Sequence, residues 1–259
     1  RQSLFLGVTA PLSTIALIAI WAISLILAFA QIQYGLNTPV TGDVEGVGRY
    51  LYLSATTFFT LGYGDVTAMN TAGRVISMLE AGVGFGFLAV VIGFLPVFYQ
   101  SYSNREHTEL LLDARAGAPP MAGELLRFQG NDLTGLRELF AEYERWAAGL
   151  LENFLSYPIL AFYRSQHAQL SWLACLVCVA DACAFVMATY PEDDEDQRAL
   201  KRQAAVTFAI ARHLVVDFGY VLNIEPDESV KMRLDLPQFK MLMAELEARG
   251  VRLSSCEEA

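Results

Sequence analysis

Thr60-Leu61-Gly62-Tyr63-Gly64-Asp65 is the stretch on which the reading of this 259-residue chain turns. Two glycines alternate with larger residues, and glycine reaches backbone angles that other residues adopt only at a cost. Such a segment can run extended with its carbonyls turned to one side. A row of carbonyl oxygens facing an axis replaces the water shell of a dehydrated cation, and the Thr60 hydroxyl adds one more oxygen at the inner end. One strand gives a fraction of the cage, so the chemistry calls for four chains around a common axis. Non-helical backbone at membrane depth is tolerated only when buried in protein or lining a polar pathway.

The flanks provide that setting. Leu12 to Ala30 is nearly free of polar groups and close to the ~20 residues that cross the hydrocarbon. It reads as an outer transmembrane helix ending near Tyr34, an interfacial aromatic. Gly35 to Gly46 is turn-rich and predicts an exposed loop. Val47 to Phe59 is apolar but short: about thirteen helical residues rise ~20 Å, less than a bilayer. A re-entrant helix fits, its negative C-terminal end aimed at a central cavity. Val75 to Tyr99 is the second spanning segment, with glycines at 82, 84, 86 and 93 and Pro96 near its inner end.

Apolar helix, short helix, Thr60–Asp65 and apolar helix together resemble the potassium channels of the bacterial two-transmembrane type. The resemblance covers about the first hundred residues. It implies that the carbonyls of Thr60, Leu61, Gly62 and Tyr63 coordinate K⁺, with Asp65 closing the filter at its outer end. It also implies a hinge at Gly84, a gate region reaching Gly93 and Pro96, and a cavity lined by Phe85, Leu88, Ile92 and Pro96. The sequence departs from the family in places. Leu61 stands where valine is commoner, Tyr52 and Leu53 where some members carry paired tryptophans, and Thr56 where some carry a glutamate.

Glu80 is the odd residue of the second span. An ionisable group there is unfavourable by at least ~2.5 kcal/mol unless it has partners. It precedes Gly84 by one turn, so it is expected behind the filter, bonded to Thr56 or Thr57 of the short helix. For Gly82 and Gly86, close helix packing serves as well as bending. Gly84-Phe85-Gly86-Phe87-Leu88-Ala89 follows no strand, which removes it as a dinucleotide fingerprint.

The chain is 54% hydrophobic with a formal charge of −10. Residues 1–103 hold three arginines (1, 49, 74) against four acids (43, 45, 65, 80), so nearly all the negative charge lies beyond. That balance argues against nucleic acid or an anionic leaflet as the partner of residues 104–259. The expected division is a pore domain over 1–103, a linker over 104–124 and a helical cytoplasmic domain over 125–259. Gly117-Ala118-Pro119-Pro120 marks the break. Leu133, Leu136, Phe140, Tyr143, Ala147, Leu150, Leu151 and Phe154 form one helical stripe with Asp132 as N-cap. Pro158 restarts the helix, and Pro237–Arg249 with a Gly250 stop makes the last one. Period-two strand signals are absent, which argues against α/β or β-roll ligand domains.

Leu170 to Tyr190 is apolar enough to pose as a third span. Asp181 and many alanines favour a buried core helix, with Arg212 or His213 as partners for the carboxylate. Cys175 and Cys178 read as free buried thiols rather than zinc ligands. Glu192–Asp196 reads as a solvated loop and helix start. Tyr157, Tyr163, Arg164, Gln166, His167 and Trp172 form a polar-aromatic cluster suited to an intersubunit contact or a small anionic ligand. No nucleophile–base signature points to an enzyme.

The expectation is therefore an all-α, homotetrameric, K⁺-selective channel of a prokaryotic plasma (inner) membrane, multi-pass with both termini cytoplasmic. K⁺ is the permeant ion, no organic cofactor is implied, and an unidentified cytoplasmic ligand is left open. An N-terminal piece before Arg1 is expected, with no cleavable signal peptide. The competing readings are a channel-like anchor or K⁺ sensor of a signalling protein, and a non-selective cation channel, against which Tyr63 argues.

Overall fold

A computed structural model describes residues 2–42, 46–163, 165, 171–225 and 234–254, without the side chains of residues 2–11 and 162. The described residues form helices and connecting turns, with one isolated bridge between Val40 and Ala68. They divide into two compact units, one spanning Val8–Gln100 and one built from Ser101 onward.

In the first unit α1 spans Gln2–Gly35, α2 spans Gly48–Phe58, and α3 starts at Thr71. The short helix falls where the apolar run of thirteen residues predicts it. The face of α2 that repeats every four residues, Tyr50, Ser54 and Phe58, is 2% exposed or less, as residues i and i+4 share one side of a helix. Gln33 of α1 reaches α3, its Nε2 donating to Gly73 O at 3.1 Å and to Ser77 Oγ at 3.3 Å. The loop after α1 is less open than its composition suggests. Tyr50 donates its hydroxyl proton to Thr38 O at 3.0 Å, and Thr41 N–H bonds Thr67 O at 2.9 Å.

α3 extends without interruption over Thr71–Ala116, with Pro96 inside it. The sequence reading ends the span at Tyr99 and starts a separate helix after Asn104; the structure joins them. A proline removes one intrahelical hydrogen bond without necessarily ending a helix, and no glycine or cap follows until Gly117, whose φ is +78°.

The second unit continues with α4 (Ala122–Gln129), α5 (Leu133–Ser156), a 3-10 turn (Pro158–Phe162), α6 (Trp172–Thr189), α7 (Glu195–Leu222) and α8 (Leu236–Ala248). Asp132 caps α5 by accepting from Gly135 N at 2.9 Å. Asp194 caps α7 with a reciprocal Gln197, the local reason the acidic run starts a helix. The stripe on α5 is the core: Leu136, Phe140, Tyr143, Ala147, Leu150 and Phe154 are all buried. α7 packs along it, and Thr207 donates to Phe140 O at 3.0 Å. α6 packs on α7, α4 and α5, with Cys175, Ala182, Cys183 and Val186 at 0% exposure.

Among the described residues, four helices are long and apolar enough to cross a membrane: Leu12–Gly35, Thr71–Ala116, Trp172–Thr189 and Glu195–Leu222. Half of the apolar window of α6 is buried by protein, against 11% for α1 and α3. Its apolar character is used inside the unit, as a core helix uses it.

Candidate functional site

α2 unwinds into the Thr60–Asp65 stretch with the first three amides of that stretch directed backwards. Phe59 N–H bonds Ala55 O at 3.1 Å and Thr60 N–H bonds Thr57 O at 2.9 Å. Leu61 N–H and Gly62 N–H then both reach Thr56 O, at 2.8 and 3.3 Å. In a trans peptide the carbonyl points opposite to the following N–H. The carbonyls of Thr60 and Leu61 are therefore aimed away from α2.

The dihedrals explain how this continues. φ is +57° at Thr60, +53° at Gly62 and +81° at Gly64, while Leu61 and Tyr63 between them keep negative φ. Alternating left- and right-handed residues turn successive carbonyls to one side and successive N–H groups to the other. Glycine meets that demand at two of the three positions; Thr60 does so at about 1–2 kcal/mol. All six residues are exposed, Leu61 by 54% and Tyr63 by 68%. One chain thus presents a row of oxygens and a tyrosine ring with no wall opposite them.

Three contacts brace the stretch. At its outer end the Tyr52 hydroxyl donates to Asp65 Oδ2 at 2.8 Å, and Val66 N–H donates to Asp65 Oδ1 at 3.0 Å. Behind it, Glu80 is completely buried and accepts from the Ser54 hydroxyl. The same hydroxyl lies 2.8 Å from Ile26 O of α1, so one serine ties α1, α2 and α3. Beneath it, Gly84 lies against α2: a Cβ there would collide with the Phe58 carbonyl. Phe58 also meets Phe87 with ring centroids 5.6 Å apart.

Glu80 sits at the expected depth but meets Ser54 rather than Thr56 or Thr57. The reason is helical phase. Ser54 shares the buried face with Tyr50 and Phe58, whereas the Thr56 hydroxyl donates back to Tyr52 O at 2.9 Å or Leu53 O at 3.1 Å. Thr57 contributes its carbonyl, to Thr60 N–H. The i, i+4 spacing of Ser54 and Phe58 is the signal that would have picked Ser54. Tyr52 is a second bracing residue that the sequence alone did not reveal, since a tyrosine in place of tryptophan says little about where its hydroxyl goes.

Phe85, Leu88, Ile92 and Pro96 are exposed along α3, and no atom lies within 4 Å of a Cβ placed on Gly82, Gly86 or Gly93. Of the four glycines at 82, 84, 86 and 93, Gly84 is therefore the one held in a close approach.

Elsewhere the predicted groupings come apart. Trp172 packs into an aromatic knot with Phe154 and Phe218, at centroid distances of 4.9 and 5.0 Å, and so serves the core. Arg164, Gln166 and His167 of that cluster lie outside the described residues. The reading of Cys175 and Cys178 as free buried thiols holds, while His213 is exposed on α7 with Asp217 Oδ2 3.3 Å from its Nε2.

Residues 15–101 match the family described as "Ion channel". The match covers about a third of the chain and coincides with the first unit. No curated protein and no solved structure matches the chain. The apolar helices fit a multi-pass membrane protein, and residues 15–101 are similar to the ion-channel family.

Proposed function

We propose that the protein is a K⁺-selective channel, assembled as a homotetramer in the plasma membrane, with Thr60–Asp65 as its selectivity filter. The observation that carries this reading is the alternation of φ sign from Thr60 to Gly64, with the Leu61 and Gly62 amides held on Thr56 O. That backbone aims oxygens at a point where a single chain has nothing to coordinate. Four copies around an axis would close a cage of carbonyls of the kind that replaces the hydration shell of K⁺. The exposed Tyr63 ring would then pack against a neighbouring copy and set the width of the filter.

Conduction is passive, and α3 supplies the inner wall through Phe85, Leu88 and Ile92. Gly84 and Pro96 are the positions where that wall changes shape. The second unit holds the copies together or biases the gate; its acidic surface favours cations near the inner mouth. Purified protein in K⁺-loaded liposomes should release K⁺ down its gradient. Liposomes that release nothing, while the protein is shown to be inserted and tetrameric, would remove the channel reading.

A further inference from the structure

Where α3 enters the second unit it carries a charged cluster with almost no water around it. Arg105 is 3% exposed, Glu106 7% and Glu109 0%. Arg105 Nη1 donates to Leu160 O at 2.9 Å, and Nη2 donates to Tyr163 O at 2.9 Å and to Glu106 Oε1 at 3.1 Å. The guanidinium also lies over the Tyr102 ring at 5.0 Å. Ser165 gives its one hydroxyl proton to Glu106 Oε2 at 2.7 Å. Glu106 is thus satisfied on both oxygens. Glu109 is not: its Oε1 lies 3.4 Å from Arg105 Nε, and neither of its oxygens has a hydrogen-bond partner.

The charge count is uneven. Among the described residues two carboxylates share one guanidinium, and an uncompensated buried charge is strongly unfavourable. Besides Arg105, the Ser165 hydroxyl favours the ionised Glu109, but its single proton is directed to Glu106 Oε2. Cys175 on α6 lies close, but burial pushes its thiol up so that it stays neutral. Tyr143 on α5 directs its hydroxyl to Thr108 O at 3.1 Å. Asp113, one turn further along α3, adds another acid near Cys175. Burial first, and Glu106 second, push the Glu109 carboxyl up to about 7, with Arg105 and then the Ser165 hydroxyl opposing. In its neutral form Glu109 leaves a balanced Arg105–Glu106 pair; ionised, it leaves a net negative charge in a dry site.

We propose that this cluster is a proton-responsive tie, holding the segment with Leu160, Tyr163 and Ser165 to α3 while Glu109 is protonated and releasing it when Glu109 ionises. Because α3 is the helix that contains the inner wall of the pore, release changes K⁺ flux; this consequence rests on the channel reading. The sign follows from linkage. The folded carboxyl binds its proton more tightly than the unfolded one, so the tie is firmest below the ordinary carboxylate range. It weakens as pH rises toward about 7 and changes little above.

The test is hydrogen exchange of the Leu160 and Tyr163 amides, corrected for intrinsic rates, on the full-length protein in liposomes from about pH 5.5 to about pH 8.5, with K⁺ flux measured in parallel. Protection should fall by about an order of magnitude across that range. Glu109→Gln, neutral throughout, should hold its protection and its flux constant. Glu106→Gln, which removes the second carboxylate, should move the transition to lower pH and serves if Glu109→Gln does not fold. Flat protection in the wild type, or the same transition in Glu109→Gln, overturns the tie. A transition with unresponsive flux overturns it as a regulator. Loss of flux at every pH with the transition intact counts against the channel alone.

Discussion

Gly84 shows how one residue constrains the pore. Its missing side chain is what lets α3 touch the carbonyl end of α2, directly below the filter. Gly84→Ala should therefore force the two helices apart and lower stability by about 1–3 kcal/mol, as overpacking does. Gly86→Ala, open within 4 Å in the single chain, is the comparison. Tetramer melting of both variants by gel in mild detergent reads the difference; equal melting would mean that the close approach to Phe58 has no structural weight. Glu80 makes the second residue-scale case. Glu80→Ala leaves the Ser54 hydroxyl without its buried acceptor, at about 1–3 kcal/mol. It should lower tetramer heat stability and alter filter inactivation, whereas Glu80→Gln keeps an acceptor and should be milder. Wild-type gating and melting in Glu80→Ala would contradict the bracing role.

At the scale of elements, α2 and the alternating backbone of Thr60–Gly64 were legible because their signals are local. An apolar run too short to span, followed by alternating glycines, admits few backbones. The Thr60 φ was not legible, since a β-branched residue is poorly suited to the left-handed region and is held there by its own bond to Thr57 and those of Leu61 and Gly62 to Thr56. The stripe on α5 and the caps at Asp132 and Asp194 were legible for the same reason: period and cap chemistry are short-range. The length of α3 was not. Pro96 and the polar change at Asn104 look like ends in sequence, but a helix with packing on both stretches continues through them. The partner of Glu80 was missed because the choice among Ser54, Thr56 and Thr57 depends on which face of α2 meets α3, and only the spacing of Ser54 and Phe58 hints at that face. The role of Trp172 failed likewise. Its aromatic partners, Phe154 and Phe218, lie 18 and 46 residues away in sequence.

In the whole molecule one continuous helix, α3, runs from the unit of Val8–Gln100 into a helical unit with its own core. If the second unit chiefly ties copies together, ending the chain at Ala116 should reduce the fraction that survives as a tetramer in mild detergent. A truncated protein that stays fully tetrameric and loses its response to pH would make that unit a sensor instead. The central claim is selectivity, and the reversal potential under biionic K⁺/Na⁺ conditions tests it most directly. With wild-type protein in a planar bilayer it should lie far toward the K⁺ side, and Tyr63→Asp should bring it closer to zero. A wild-type reversal potential near zero, or one that Tyr63→Asp leaves where it was, would contradict the assignment of Thr60–Asp65 as a K⁺ filter.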